Sequence, residues 1–497
     1  EGRVCPYRRF CKETRCSQAS LSSIPRLHRF TMADPQTRNY LLLLVGWISL
    51  YLSQRTVPST TSHLQTGASF SVEDVGSLLS CFAVTYALTK LASGFLYDRL
   101  GLSPKLLFCW GLGTGGFLCL LFPATAKTSI SLACLLWLVV GVFQGLGWPA
   151  CAQMTKQWYK SSQLGKRYLI LSASSNVAAA IIPILSAYMA TAVGWESIYY
   201  LLGTICILFT PFLVMGIKYH PQKGDEKKDE SFNSHEEVKE RTEKYPWYRV
   251  FLFKEFWLVT VLNATAWTVK ASVIDWMQLY LIQHMDHSQT IGMHAPLQPR
   301  KTYTVFSTLA CIALLCCNSI AAQCTAVSEV GGLLGKLLFA VSSDYLISKK
   351  LLIRRGLCPR APVLLVLALL LFLSTHLYSY HVSQDSTTLW LMVVLFGFGF
   401  SAGGMVGMCS LSLMESVPPP LSATSLGIGD CLTHLVGRSL LGYTVFSYVV
   451  NHSDWGWSSA YRLTGTLALT STATALLLVL SPHSTAHSQS PHKNKHH

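Results

Sequence analysis

Charge is scarce in this chain. Only 13% of its 497 residues are Asp, Glu, Lys or Arg, where a soluble domain carries about a quarter, so an ordinary water-soluble globule is excluded. Metal-site spacing is missing as well. The sixteen cysteines show no paired zinc-ribbon arrangement, and most lie in apolar runs (Cys109, Cys119, Cys134, Cys206, Cys431), where a thiol is a small packing group. No metal-ligand cluster and no nucleophile–base pair is legible. The sequence therefore names no catalytic residue, no metal and no cofactor, and it argues against an enzyme. GLGTGG at Gly111–Gly116 imitates a nucleotide fingerprint, but no strand precedes it, and close helix packing accounts for it.

What the chain has is apolar length. It is 51% hydrophobic with a mean hydropathy of +0.37, and apolar runs of about 20 residues recur, each able to cross a hydrocarbon layer of ~30 Å. The expected fold is an all-α membrane protein with twelve transmembrane helices in two six-helix halves. Spans are expected at Tyr40–Pro58, Val72–Tyr97, Lys105–Ala124, Thr128–Ala152, Arg167–Ala190 and Ser197–Ile217. After a charged linker, Lys218–Arg249, six more follow at Leu258–Gln283, Ala322–Leu346, Pro362–Tyr380, Thr388–Leu413, Leu421–Val449 and Ser459–Leu480. The chain then divides into an N-terminal segment 1–38, a half 39–217, the linker 218–249, a half 250–481 and a tail 482–497.

The net charge of +15 sits mainly in short connections and the two tails. That pattern reads as orientation in a lipid bilayer and not as a nucleic-acid surface. Connections 2–3 and 4–5 hold Arg99, Lys105, Lys156, Lys160, Lys166 and Arg167, and connection 8–9 is the basic SKKLLIRRGLCPR. Both termini are accordingly expected in the cytosol, with the polar Thr60–Ser71 segment on the opposite side.

Two segments stand apart. Residues 1–31 begin with Glu1, carry three cysteines and seven Lys or Arg, and precede Met32; they read as translated upstream sequence, with an amphipathic targeting segment as the alternative. Met293–Ile320 adds an apolar run between spans 7 and 8. A thirteenth span would turn SKKLLIRR outward, so the run reads as an insertion, and a buried or re-entrant element is the alternative. The halves share local patterns: Lys90 precedes Asp98 as Lys336 precedes Asp344, and GWESIYY (Gly194–Tyr200) corresponds to GWSSAYR (Gly456–Arg462). This argues for duplication.

The candidate site begins with a cation in the first span. Arg55 has Gln54 beside it and Tyr51 one turn earlier; Lys270 lies in the seventh span. An intramembrane cation costs several kcal/mol unless it meets a cavity or a partner, which marks a functional site, although a long side chain can also snorkel to a headgroup. The expectation is that Arg55 and Lys270 face one another and bind an anion. Two intramembrane acids, Asp275 and Glu329, are expected to be structural; Asp275 lies off the helical face of Lys270. In span 11, Asp430 and Arg438 either pair mutually or form a new site.

GFLYDRLG (Gly94–Gly101), in a six-plus-six layout, resembles the major facilitator superfamily. GVFQGLGWPACAQMTKQWY (Gly141–Tyr159), LSASSNVAAAIIPIL (Leu171–Leu185, with Asn176 and Pro183), VKASVIDWMQLYLIQ (Val269–Gln283) and SEVGGLLG (Ser328–Gly335) are similar to the organophosphate:phosphate antiporters, most of all to the microsomal glucose 6-phosphate branch. The resemblance implies the major facilitator fold and exchange of glucose 6-phosphate, or a related sugar phosphate, for inorganic phosphate by alternating access. It implies that Arg55 and Lys270 hold the phosphoryl group, that Gln54, Tyr51, Tyr86 and Asn176 line the site, and that Asp98, Arg99 and Asp344 act in gating. Functional coupling to a lumenal phosphatase is implied too.

The departures are specific. Gln54–Arg55 replaces an adjacent Arg–Lys pair, Leu426 stands where the family has a histidine, and Arg438 stands where it has a small residue. Tyr345 replaces the second gating arginine. These motivate the alternative of a non-transporting phosphate sensor or scaffold. Lys493 and Lys495, fifth and third from the end, fit a dilysine signal for the endoplasmic reticulum. The sequon at Asn451 is expected to face the lumen, whereas that at Asn263 lies within span 7.

Overall fold

The computed structural model describes residues 35–98, 102–159, 161–218, 246–283, 319–349, 360–383, 386–418 and 421–480. Its regular elements in the first half are α1 (Pro35–Gln54), α2 (Thr56–Ser59), α3 (Thr61–Ala68), α4 (Val72–Asp98), α5 (Pro104–Thr128), α6 (Ile130–Gly145), α7 (Gly147–Trp158), α8 (Ser161–Ala192) and α9 (Ser197–Gly216). A 3-10 turn, Trp247–Leu252, leads into α10 (Lys254–Lys270), a π-helical segment Ala271–Asp275 and α11 (Met277–Gln283). Then come α12 (Ile320–Ser348), α13 (Ala361–His381), α14 (Thr388–Glu415), α15 (Ser422–Leu432), a long π segment Thr433–Val445, α16 (Phe446–His452) and α17 (Trp457–Leu480). Among the described residues, ten helices are long and apolar enough to cross a membrane. The expected all-α membrane architecture is what the chain adopts.

Local chemistry sets several helix starts. Ser103 accepts from the Leu106 amide with Pro104 in the first turn, Ser319 accepts from Ala322 and Thr387 accepts from Trp390. Each satisfies a donor that the helix itself leaves open.

Regularity fails at three places that matter. The first span breaks at Arg55, whose amide is 3.2 Å from the carbonyls of both Tyr51 and Leu52. The seventh span turns π-helical just after Lys270, and the eleventh does so from Thr433 to Val445. A widened turn re-aims side chains, and such turns concentrate at functional sites. These three lie at the charged residues described below.

The expected end of span 1 at Pro58 is corrected: the helical path continues through α3 to Ala68, so Thr60–Ser71 is largely helix. Its polar groups are satisfied locally. The Thr60 hydroxyl lies 3.0 Å from the Thr56 carbonyl and 2.7 Å from the Tyr199 hydroxyl. The linker also ends earlier than expected, because Trp247–Leu252 already forms the 3-10 turn. Ser319 and Ile320, counted in the apolar insertion, cap and open α12. Residues 1–31, the rest of that insertion, and Lys493 and Lys495 lie outside the described residues.

Glycines set the closest helix crossings. A Cβ at Gly116 of the GLGTGG run would stand 2.9 Å from the Gly203 carbonyl, and one at Gly111 would stand 2.7 Å from that of Phe143. The run is therefore a packing surface. Gly331, Gly332 and Gly335 of α12 meet Phe396, Gly399, Phe400 and Gly403 of α14 in the same way. The residues before and after the linker meet where α4 packs on α15, the π segment and α16, and where α8 packs on α12.

Both copies of the repeated motif place a glycine at positive φ. Gly194 and Gly456 have φ of 123° and 49°, a region that favours glycine, and each introduces the last helix of its half.

Candidate functional site

The charged residues of the spans gather where these helices meet. Arg55 Nη2 lies 2.6 Å from Asp275 Oδ1, with both side chains under 10% exposed. Asp275 Oδ2 accepts from the Tyr443 hydroxyl at 2.5 Å and lies 3.6 Å from Arg438 Nη2. Arg438 Nε donates to the Tyr443 oxygen at 2.6 Å. One carboxylate thus serves two guanidiniums, one from the junction of α1 and α2 and one from the π segment of span 11. The π turn after Lys270 carries Asp275 off the lysine's face and towards Arg55.

A second group lies beside it. Lys270 Nζ is 3.4 Å from Glu329 Oε1. Asn176 donates to Glu329 Oε2 at 2.8 Å and accepts from Lys336 Nζ at 2.7 Å, so its amide bridges a carboxylate and an ammonium across the α8–α12 contact. A third pair, Lys90 with Asp430, joins α4 to α15. The two lysines in equivalent positions of the repeat, Lys90 and Lys336, each reach across to the other half.

Five cations and three carboxylates make up these groups. Their formal charges leave an excess of two positive charges in a buried setting. A buried charge without a partner is costly, and an excess of this sign favours an entering anion.

Aromatic rings wall the groups. The Tyr86 ring stacks on Phe82 at 5.5 Å and meets His434 edge-on at 5.6 Å. Trp267 lies 4.8 Å from His434 and within 5.7 Å of both Lys270 Nζ and Arg438 Cζ, close enough for cation–π attraction. Tyr51 is half-buried and packs on Trp47 at 5.9 Å. Gln54 is buried, and its Nε2 has no partner among the described residues.

The sequence-predicted residues therefore fall into distinct places. Arg55 and Lys270 each hold a carboxylate of their own, Asp275 and Glu329. Asn176 and Tyr86 belong to the charged region. Mutual pairing of Asp430 with Arg438 does not occur, since each is engaged elsewhere, as the π segment between them turns their side chains to different partners. Asp98 closes α4, and Arg99 lies outside the described residues. Asp344 is bound by Arg360 Nη1 at 2.9 Å, and Arg360 Nε meets both Glu415 oxygens at 3.0 and 2.9 Å. Burial works against the Arg360 charge, but Glu415 and then Asp344 outweigh it and hold the guanidinium above its ordinary pKa. The cation missing at Tyr345 is thus supplied from the start of α13. Tyr443, His434 and Lys336 were not singled out as site residues, yet Asp430, His434 and Arg438 at four-residue spacing in an apolar span are a readable signal.

The Major Facilitator Superfamily model matches residues 42–442. A probable hexose phosphate transport protein of Chlamydia trachomatis serovar D is 26% identical, over 95% of this chain and 98% of its own length. The membrane sensor protein UhpC of Escherichia coli is 23% identical over 89% of this chain and 91% of its own. The glycerol-3-phosphate transporter of Bacillus subtilis is 21% identical over 84% and 86%. Among solved structures, a bacterial homologue of the human lysosomal transporter Spinster, in an inward-facing and occupied conformation, aligns with a TM-score of 0.64 at 14% identity, covering 91% of this chain and all of that one. With its helical halves, its buried charged centre and a family match over most of its length, the chain belongs to the Major Facilitator Superfamily.

Proposed function

We propose that this protein is an organophosphate:phosphate antiporter that exchanges glucose 6-phosphate, or a closely related sugar phosphate, for inorganic phosphate. The observation that carries this reading is the buried charged centre with its formal excess of positive charge, matched in sign to a phosphate anion. Arg55 and Lys270 hold the phosphoryl group, and Arg438 adds a second planar fork of donors. Gln54 offers its unpartnered amide; Tyr51, Tyr86 and Asn176 line the site. Entry of the anion draws Arg55 from Asp275 and Lys270 from Glu329, so substrate binding rearranges contacts that span the two halves. Segments 39–217 and 247–481 are the rocking halves, 218–246 is the cytosolic linker, and 293–318 is an insertion. Asp98, Arg99 and Asp344 close the cytosolic ends.

The relatives support the substrate class: two of the three are named for a sugar phosphate or glycerol phosphate that they move. The protein works in the endoplasmic reticulum membrane with both termini cytosolic, where its sugar phosphate feeds a lumenal phosphatase. Uptake of labelled glucose 6-phosphate by proteoliposomes tests exchange. Accumulation should require internal phosphate, and equal uptake into empty vesicles would contradict antiport.

A second reading, a phosphate sensor that does not transport, is favoured by two observations. Gln54 stands beside Arg55, which is already neutralised by Asp275, and one relative is named as a membrane sensor. Phosphate binding without exchange would select it.

A further inference from the structure

We infer that Asp430 and His434, with Lys90, form the subsite that recognises the hydroxylated body of the substrate. This inference rests on the sugar-phosphate reading and extends it to specificity. The first observation is an unmet hydrogen-bonding group. His434 is 4% exposed, and its Nδ1 has no partner among the described residues. An unsatisfied buried polar atom is destabilising, so an apolar residue would stabilise the closed structure better. The ring packs against both Tyr86 and Trp267.

The second observation is order along the helix. Asp430, His434 and Arg438 succeed one another at four-residue spacing, about one turn apiece, which places His434 between the partners of the other two. Arg438 belongs to the cationic end, beside Asp275 and Arg55. Asp430 is at the other end, held by Lys90. Eight residues separate the ends, at most about 12 Å at 1.5 Å per residue and less through the π segment. His434 lies midway, facing the aromatic pair.

The chemistry of the two ends differs. The cationic end suits a phosphate. At the other end a carboxylate only accepts, an ammonium only donates, and a neutral imidazole does one of each. That set matches neighbouring hydroxyls, each of which donates and accepts. The flanking rings offer apolar faces to carbon-bound hydrogens. A hexose phosphate reaches both ends, whereas a three-carbon phosphate bound at Arg438 falls short of Asp430.

The test compares two KM values for exchange in the same proteoliposomes, one for phosphate and one for glucose 6-phosphate, each against internal phosphate. In His434→Ala, His434→Gln and Asp430→Asn the KM for glucose 6-phosphate should rise about tenfold or more relative to that for phosphate, since a site built to bond a hydroxyl loses heavily when a partner goes. Preference for glucose 6-phosphate over glycerol 3-phosphate should narrow in step. A proportional change in both KM values, or none, in all three variants would overturn the inference and leave the antiporter reading standing. Wild-type protein that exchanges neither anion would overturn that reading, and this inference with it.

Discussion

Arg55 and Asp275 meet at 2.6 Å, and the same carboxylate also takes Tyr443 and faces Arg438. A single acid of span 7 therefore ties the first span to the eleventh. Its removal is more damaging than that of either arginine, because it strands two guanidiniums at once.

Asp275→Ala should lower stability by about 3–5 kcal/mol, the cost of leaving a buried charge unpaired. Arg55→Ala combined with Asp275→Ala should cost at least about 1 kcal/mol less than the sum of the single changes, since the two residues are in direct contact. Thermal unfolding of the detergent-solubilised proteins measures both. An unchanged midpoint for Asp275→Ala would show the carboxylate to be dispensable.

Arg360 anchors Asp344 and Glu415. Its own side chain is 10% exposed, but those of its partners are 69% and 40% exposed, so solvent screens much of the attraction. Arg360→Ala should cost about 1 kcal/mol. Arg360→Lys should recover only part of it, because an ammonium cannot reproduce the fork that spans both Glu415 oxygens. Equal stability of the Lys variant and wild type would contradict the bidentate geometry.

At the α12–α14 crossing, a Cβ on Gly403 would run into the Gly332 backbone, while one on Gly397, in the same helix, would meet nothing within 4 Å. Gly403→Val should lower the yield of folded protein and destabilise what remains by about 1–3 kcal/mol. Gly397→Ala should be neutral or stabilising by roughly 0.5 kcal/mol. Thermal midpoints of the two purified variants check the contrast; a similar loss for both would refute the close-crossing account.

Fold class was legible in the sequence because hydropathy reports directly on the bilayer and because the repeat left marks such as Gly194 and Gly456. Span ends were less so. Thr60–Ser71 reads as a polar connection, yet its hydroxyls bond back to the helix and to Tyr199, a tertiary fact that composition hides. The cations of the site were visible for the same reason that they are costly. Their partners were not, since which acid meets which base depends on π turns at Ala271–Asp275 and Thr433–Val445 that propensity does not mark. Asp275 reads as a misplaced neighbour of Lys270 until the backbone widens and delivers it to Arg55.

Lys270→Ala gives the most direct test of the central claim that a buried cationic centre carries a phosphoryl group. Its effect is best read as uptake of labelled glucose 6-phosphate by phosphate-loaded proteoliposomes, beside wild type at equal folded protein. The account predicts phosphate-dependent uptake in wild type and a loss of at least about a hundredfold in the variant, since about 3 kcal/mol of charge-assisted binding is removed. Undiminished uptake by Lys270→Ala would contradict it.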